Sequence, residues 1–472
     1  MWLGENGETL ERCVGMVAPV KTSEDLAGER SPLTLRGRLL AKPLAEIKDA
    51  FEGPIVRNAA ALYGTTIVTS VLGFVYWFVA ARLAPASAVG TASAIQSAAQ
   101  FLGIFCVIGL NTLLISELAA DKSEARSLIL TAAAGVGVAA YVISAGVGIG
   151  LASLSSTLRE GMNGPGGILI FAVLSALTTV LVLLDDACIG LLRGDLQLRR
   201  NAVFAVSKLV ILPLLIWVWA TQSGLELVIA WLAGLAISLV TLAYQLAKMT
   251  KGQSSHLDFS RIFEKRRLVM GHHWLNLSIQ APRLVLPVLV AVIVGTEANA
   301  AFTAAFLVVS FVNVIPSQLS TVLFALAPGD EADLHTQVRK TMRICLVISV
   351  VTAPFFVIFA PLILRTFGHE YVVAAPALAI LGFATYPQTI KAHYVAIARV
   401  RGQMQRAALW TMVGGCLEIG FSAVGAIKGG LTGLAVAYLI AATIEAVIFS
   451  PSVFGVLRKA RKDAEVDTAK ES

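Results

Sequence analysis

Charged side chains are scarce in this chain. Asp, Glu, Lys and Arg make up only 14% of its 472 residues, against 57% hydrophobic, whereas a soluble domain is about one quarter charged. So little polar surface cannot coat the molecule for water, and this excludes the two or three soluble domains that length alone would allow. Cysteine is also sparse. Cys13 lies in a polar stretch, while Cys106, Cys188, Cys345 and Cys416 lie inside apolar runs, where they act as small hydrophobes and form no disulfide framework. There is no G-x-x-x-x-G-K loop, so Walker-type ATP binding is excluded. No H-E-x-x-H or paired C-x-x-C occurs, and the adjacent His272 and His273 lack metal-ligand spacing for a helix. No Ser/His/Asp arrangement stands out. The expectation is a non-enzyme with no catalytic residue, metal or cofactor. The net charge of +7 does not point to nucleic acid, because the basic residues sit between apolar runs. No cleavable signal peptide is expected, since the first long apolar run begins near residue 58.

What the chain has in abundance is bilayer-length apolar sequence. A spanning helix needs about 20 mostly apolar residues, and twelve runs qualify: 58–79, 86–116, 127–152, 168–192, 201–220, 226–246, 272–294, 300–326, 342–364, 372–398, 407–426 and 429–452. With both ends of the chain placed inside, the five internal loops on that side carry 17 Lys and Arg, six of them between 247 and 271. The six outer loops carry four: Arg82, Arg159, Arg365 and Lys428. This asymmetry fits the positive-inside rule without an inversion anywhere along the chain. The reading is an all-α polytopic membrane protein of about 12 transmembrane helices, multi-pass, with N- and C-termini cytoplasmic. It divides into a cytoplasmic tail (1–54), an N-lobe (55–246), a basic linker (247–271), a C-lobe (272–452) and a second tail (453–472). The first tail holds an amphipathic stretch from Leu33 to Phe51.

The halves repeat. The stretch 85–94 (PASAVGTASA) follows the first span and 296–305 (TEANAAFTAA) follows the seventh, an offset of 211 residues. Each half holds an even number of spans, so the repeats are parallel and related by an axis along the membrane normal. The natural substrate site lies between the halves, here expected among spans one, two, seven and eight. Gly146 and Gly150 form a small-xxx-small pair read as a helix-packing face.

Polar residues inside spans are costly, about 2.5–3.5 kcal/mol for a central charge on insertion scales, and mark functional sites or mutual pairing. Arg283 lies eleven residues into span seven, about 16 Å deep at 1.5 Å per residue. His272, Asn276, Gln280 and Arg283 recur at spacings of four, four and three, one polar stripe on that helix. Span eight adds Thr303, Ser310, Asn313 and Ser317, with Pro316 expected to kink it. Span two adds Ser93, Gln96, Ser97 and Gln100, and span one Asn58, Thr65, Thr66 and Thr69. Such stripes either line a hydrated cavity or hydrogen-bond helix to helix. Lys208 and Lys391 lie near enough to span ends to snorkel. Asp185 and Asp186 either pair with Lys208 across spans four and five or couple ions. Glu418 either neutralises Arg283 or, like Glu445, carries a proton, because leaving water favours the uncharged acid.

Three stretches carry a family resemblance: Ala81-Arg-Leu-Ala-Pro-Ala-Ser-Ala-Val-Gly90, then Asp185-Asp-Ala-Cys-Ile-Gly190-Leu-Leu-Arg193 followed by Asn201 and Lys208, then His273-Trp-Leu-Asn-Leu through Arg283 to Gly295. Over about residues 55–455 the chain resembles the polysaccharide-transporter branch of the multidrug/oligosaccharidyl-lipid/polysaccharide exporter (MOP) superfamily, including Wzx-type flippases. The resemblance implies a V-shaped pair of lobes that opens alternately and moves a lipid-linked oligosaccharide across the bacterial cytoplasmic (inner) membrane for polysaccharide or lipopolysaccharide biosynthesis. It implies cations for the pyrophosphate at Arg283, with Lys391 or Lys208, and Ser/Thr/Asn/Gln stripes, Asn313 among them, for the sugar. Membrane lipids and a polysaccharide polymerase or glycosyltransferases are the implied partners. Two alternatives compete: a cation-coupled multidrug antiporter of the same superfamily, which often carries an acidic residue on its first helix where 58–79 has none, and a non-transporting scaffold for polysaccharide assembly.

Overall fold

The computed structural model describes residues 54–154, 159, 164–219, 224–326 and 331–471; side chains are described from 69 onward, apart from 154, 261–272, 315–333, 336 and 458–471. The described residues are helical and contain no strand. In chain order the elements are α1 (Pro54–Leu83), α2 (Ala86–Cys106), α3 (Leu110–Ala120), α4 (Ala125–Leu154), α5 (Pro165–Gly190), α6 (Gly194–Trp219), α7 (Leu225–Met249), α8 (Ser260–Ile293), α9 (Thr296–Leu326), α10 (Glu331–Arg365), a 3-10 turn (His369–Ala374), α11 (Ala375–Phe383), α12 (Thr385–Val400) and α13 (Met404–Glu471).

Nine of these helices are long and apolar enough to cross a bilayer by themselves, and the 3-10 turn, α11 and α12 make a tenth crossing bent by 44°. Helix α13 is two antiparallel crossings, since Gly429 and Gly430 leave the helical region (φ −147°, ψ 22° and φ 57°, ψ −141°). With α1 the total is the twelve expected, a multi-pass all-α membrane fold. Its outer surface is apolar, as lipid requires: Val142 is 62% exposed and Trp217 82%.

Two expected spans are broken. The run 86–116 divides into α2 and α3 at Ile108 (φ 46°) and Gly109 (φ 76°). Glycine takes that conformation freely, whereas a β-branched residue there is strained. Hydropathy did not reveal the break, because the residues on either side, Ile104 to Leu110, are apolar or glycine. The run 372–398 bends at Ala384 because Pro387 has no N–H for the Phe383 carbonyl one turn back. Pro316, expected to kink its span, lies within α9, which runs as one helix from Thr296 to Leu326, although its side chain is outside those described.

Lipid tails are as apolar as leucine, so helices in a membrane associate through close packing and hydrogen bonds. The two repeat stretches meet in this way. Helix α2 packs along α9 and α8, and a Cβ on Gly90 would fall 1.7 Å from the Thr296 carbonyl oxygen and 3.0 Å from the Ala300 nitrogen. Asn299 Nδ2 donates to the Gly90 carbonyl (2.7 Å) and to Ser93 Oγ (2.9 Å), and Thr303 Oγ1 donates to Ser93 Oγ (3.1 Å). The α6–α7 turn presses on the same end, where a Cβ on Gly224 would lie 2.5 Å from the Ala88 carbonyl oxygen. At the opposite end the linker shortens to 250–259 and docks on the α3–α4 turn. Gln253 Nε2 donates to the Lys122 carbonyl (2.8 Å), and its Oε1 accepts from the Arg126 N–H (3.0 Å).

The small-xxx-small pair is corrected. Among the described residues nothing lies within 4 Å of a Cβ on Gly146 or Gly150, so neither packs against a described neighbour. The packing glycines of α4 are Gly137, 3.1 Å from Val180, and Gly148, 3.0 Å from Phe171. A true glycine contact joins the halves of α13, where a Cβ on Gly425 would meet the Gly433 carbonyl oxygen at 2.3 Å.

A cross-link tests the α2–α9 closure. With Ser93→Cys and Asn299→Cys together, oxidation is expected to join the two helices readily. Adding Gly90→Val should cut the yield by about tenfold, since overpacking of this kind costs about 1–3 kcal/mol or more. Adding Gly146→Val should leave it unchanged; equal losses in both backgrounds would refute the contact.

Candidate functional site

Three helices each turn one stripe inward. On α8 the residues are Asn276, Gln280 and Arg283; on α9 they are Phe306, Ser310 and Asn313; on α12 they are Gln388, Lys391, Val395 and Arg399. The spacings of three and four are those that keep side chains on one helix face. Together with Thr69 and Ser70 of α1, Leu381 of α11, and Glu418 and Tyr438 of α13, these stripes enclose a cavity of about 600 Å³. It reaches Arg399 near the end of α12.

Arg283 points into this space and has no ion pair among the described residues. Pro287 has no N–H to offer the Arg283 carbonyl, so the helix leaves an acceptor free at the same level. Asn313 lines the wall with its Oδ1 unpartnered. Arg399 is half-buried in the wall and is likewise without an ion pair among the described residues.

Lys391 behaves differently. Its Nζ lies 2.9 Å from Glu445 Oε2 and 3.3 Å from Glu418 Oε1, with the three residues 6%, 2% and 1% exposed respectively. Gln388 Nε2 donates to Glu418 Oε1 (3.1 Å) and to the Tyr438 hydroxyl (2.9 Å). Gly414 makes room for the second acid, because a Cβ there would sit 2.1 Å from Glu445 Oε1, an oxygen with no hydrogen-bond partner. One ammonium therefore faces two buried carboxylates, and the cluster carries one negative charge too many unless a proton or cation joins it. Burying an uncompensated charge costs several kcal/mol, so such a cluster has a built-in demand for a positive charge.

The structure thus brings Arg283, Asn276, Gln280, Asn313, Lys391 and Glu418 to one cavity, with Glu445 behind Lys391. His272 lies outside the residues whose side chains are described, as do Asn58, Thr65, Thr66 and Ser317. Four expectations are corrected. Glu418 neutralises Lys391, not Arg283. Lys208 does not reach the cavity: it is buried in the N-lobe with its Nζ 3.6 Å from the Trp231 ring centre, 4.4 Å from Phe204 and 4.8 Å from Tyr76, a cation–π enclosure. Asp185 does not pair with Lys208 but with Arg200 on the next helix, whose Nε donates to Oδ1 at 3.1 Å and whose Nη2 meets Oδ2. Asp186 stands beside Asp185, with Asn111 of α3 as its hydrogen-bond partner. Span two does not line the cavity either, because its Ser93 is occupied with Asn299; α12 and α13 take its place. Arg399 was missed because it reads as a loop charge, although its spacing of eight from Lys391 places it on the same stripe.

No protein-family model matches this sequence, and no curated protein matches it. Solved structures do. The chain is similar to a multidrug resistance MATE family transporter of the MOP superfamily in its inward-facing conformation, with 17% identity and a TM-score of 0.65 over 84% of this chain and 96% of that one. It is similar to a MOP superfamily transporter from Pyrococcus furiosus, with 16% identity and a TM-score of 0.57 over 86% and 96%. Against an outward-facing MATE transporter the identity is 17% and the TM-score 0.52, over 87% and 96%. The superfamily resembled in sequence is the one these folds come from; its polysaccharide branch is named by none of the three. At such identities the likeness is one of architecture, and this chain has the all-helical fold of the MATE transporters.

Proposed function

We propose that this chain is an alternating-access transporter whose cavity receives an anionic substrate, and that the substrate is a lipid-linked oligosaccharide delivered across the bacterial cytoplasmic membrane. The observation that carries the reading is the sign of the cavity. Among the described residues, Arg283 and Arg399 enter it without counter-charge, while the one lining carboxylate, Glu418, is held by Lys391. Guanidinium groups recognise phosphate through paired hydrogen bonds, and the neighbouring Asn276, Gln280, Ser310 and Asn313 suit sugar hydroxyls. A volume of about 600 Å³ is that of a site for a drug-sized ligand. It would hold the phosphate groups and the first sugars, with the rest of the chain leaving through the open side.

With the basic linker in the cytoplasm, the Gly90–Thr296 contact closes the outer end and the cavity faces inward. The higher score against the inward-facing neighbour agrees with this. Glu418 and Glu445 are the coupling groups in this reading, with Asp185 and Asp186 a second acidic pair in the N-lobe. Both termini are cytoplasmic, where glycosyltransferases and a polymerase can be met.

A multidrug antiporter is the second reading, and it draws on the neighbours described as multidrug resistance transporters. Cationic drugs would be repelled by the two free arginines. The Pyrococcus furiosus neighbour is itself described as having a binding pocket of reverse polarity that suggests a different function, so pocket polarity varies within this fold.

In proteoliposomes, Arg283→Ala is expected to lower flipping of a fluorescent lipid-linked oligosaccharide at least about tenfold, the value of one charge-assisted pair, with membrane abundance unchanged. Normal flipping in the variant would remove the phosphate role of Arg283, no flipping by the wild type would favour the scaffold reading, and efflux of a lipophilic cation by the wild type would favour the antiporter. Flipping should also fall to background when every ion gradient and the membrane potential are collapsed, and Glu445→Gln should make the residual rate indifferent to an imposed gradient. Undiminished flux without gradients would remove the coupling role.

A further inference from the structure

The outer face of α10 carries a second concavity, remote from the cavity above. It has a volume of about 410 Å³ and is floored by one α10 stripe that begins with Arg339 and Arg343 and continues through Leu346, Val347 and Val350, with Leu457 of α13 on its flank. The residues recur at three and four, so one face of one helix presents two guanidinium groups at one end and only apolar side chains beyond. From Arg343 the apolar trough runs about 12 Å at 1.5 Å per residue, most of the roughly 15 Å depth of one leaflet. Val347 and Val350 stand 58% and 57% exposed, as side chains do that meet lipid rather than protein.

We propose that this groove is a site for a single anionic phospholipid, its phosphate between Arg339 and Arg343 and one acyl chain along Leu346, Val347 and Val350. Charge complementarity decides the occupant. The two arginines are one turn apart on the helix, exposed, and without an ion pair among the described residues. Like charges at that spacing repel, and an anion placed between them converts the repulsion into a bidentate contact. Four further basic residues, Arg458, Lys459, Arg461 and Lys462, follow Leu457 directly in the sequence. Basic pockets beside transmembrane helices recognise anionic headgroups in this manner. A second copy of the chain fits less well. Two-fold pairing about an axis along the membrane normal would bring Arg339 and Arg343 of each copy to the same depth on facing surfaces. A zwitterionic lipid brings its own cation to the arginines and gains less.

Native mass spectrometry of the full chain in detergent, with equimolar phosphatidylglycerol and phosphatidylcholine added, tests the assignment. The wild type is expected to retain one phosphatidylglycerol through mild delipidation with up to about thirtyfold preference, the scale set by two basic residues at an anionic headgroup. The double variant Arg339→Gln/Arg343→Gln should bind both lipids equally. Val347→Trp, which keeps every charge and fills the trough, should lower retention of phosphatidylglycerol, and Arg365→Gln at the far end of α10 should change nothing. The proposal is overturned by a wild type without preference, by a double variant that keeps it, by a Val347→Trp protein with undiminished retention, or by a lipid-free dimer.

Discussion

The arrangement depends on how closely two backbones approach where α2 begins beside the start of α9. Inside a bilayer no hydrophobic force draws helices together, so contact must come from atoms that fit. Gly90 supplies the missing Cβ, Asn299 satisfies the Gly90 carbonyl, and Ser93 and Thr303 complete the seam. The residues that meet come from the two stretches read as repeats, so the seam joins corresponding helices of the two halves. It closes one end of the molecule and leaves the space enclosed by α8, α9 and α12 to form a cavity. Had these positions carried larger side chains, span two would stand off from α9 and its polar stripe would face water instead of protein.

The intramembrane charges sort by their partners. Asp185 and Arg200 satisfy each other within the N-lobe. Lys391 holds two acids that lack a second base. Arg283 and Arg399 have no counter-charge among the described residues and look into the cavity. Only the last two groups are poised to respond to something arriving from outside: the acids to a proton or cation, the arginines to an anion.

Much of this was legible in the sequence. Hydropathy marks the crossings because bilayer thickness acts on the length and composition of each apolar run. The stripe ending at Arg283 was visible because helical spacing is regular. Three things were not legible. The break at Ile108 leaves no trace in an apolar run. The partners of Glu418 and Lys208 depend on which helices become neighbours, and span spacing does not encode that. Gly146 and Gly150 have the spacing of a packing motif yet pack against no described neighbour, while Gly425 and Gly433 pack across a turn that only the folded chain reveals.

The enclosure of Lys208 by Tyr76, Phe204 and Trp231 has a consequence for how a cargo would be gripped. With that lysine screened, the charged groups lining the cavity among the described residues all belong to α8, α12 and α13, on one half of the molecule, and the other half contributes Thr69 and Ser70 to the lining. A substrate held ionically is then a passenger of one lobe, not a strap across two. In the alternating-access reading proposed above, the lobes would move apart without tearing its strongest contacts, and the seam at Gly90 would be what has to open.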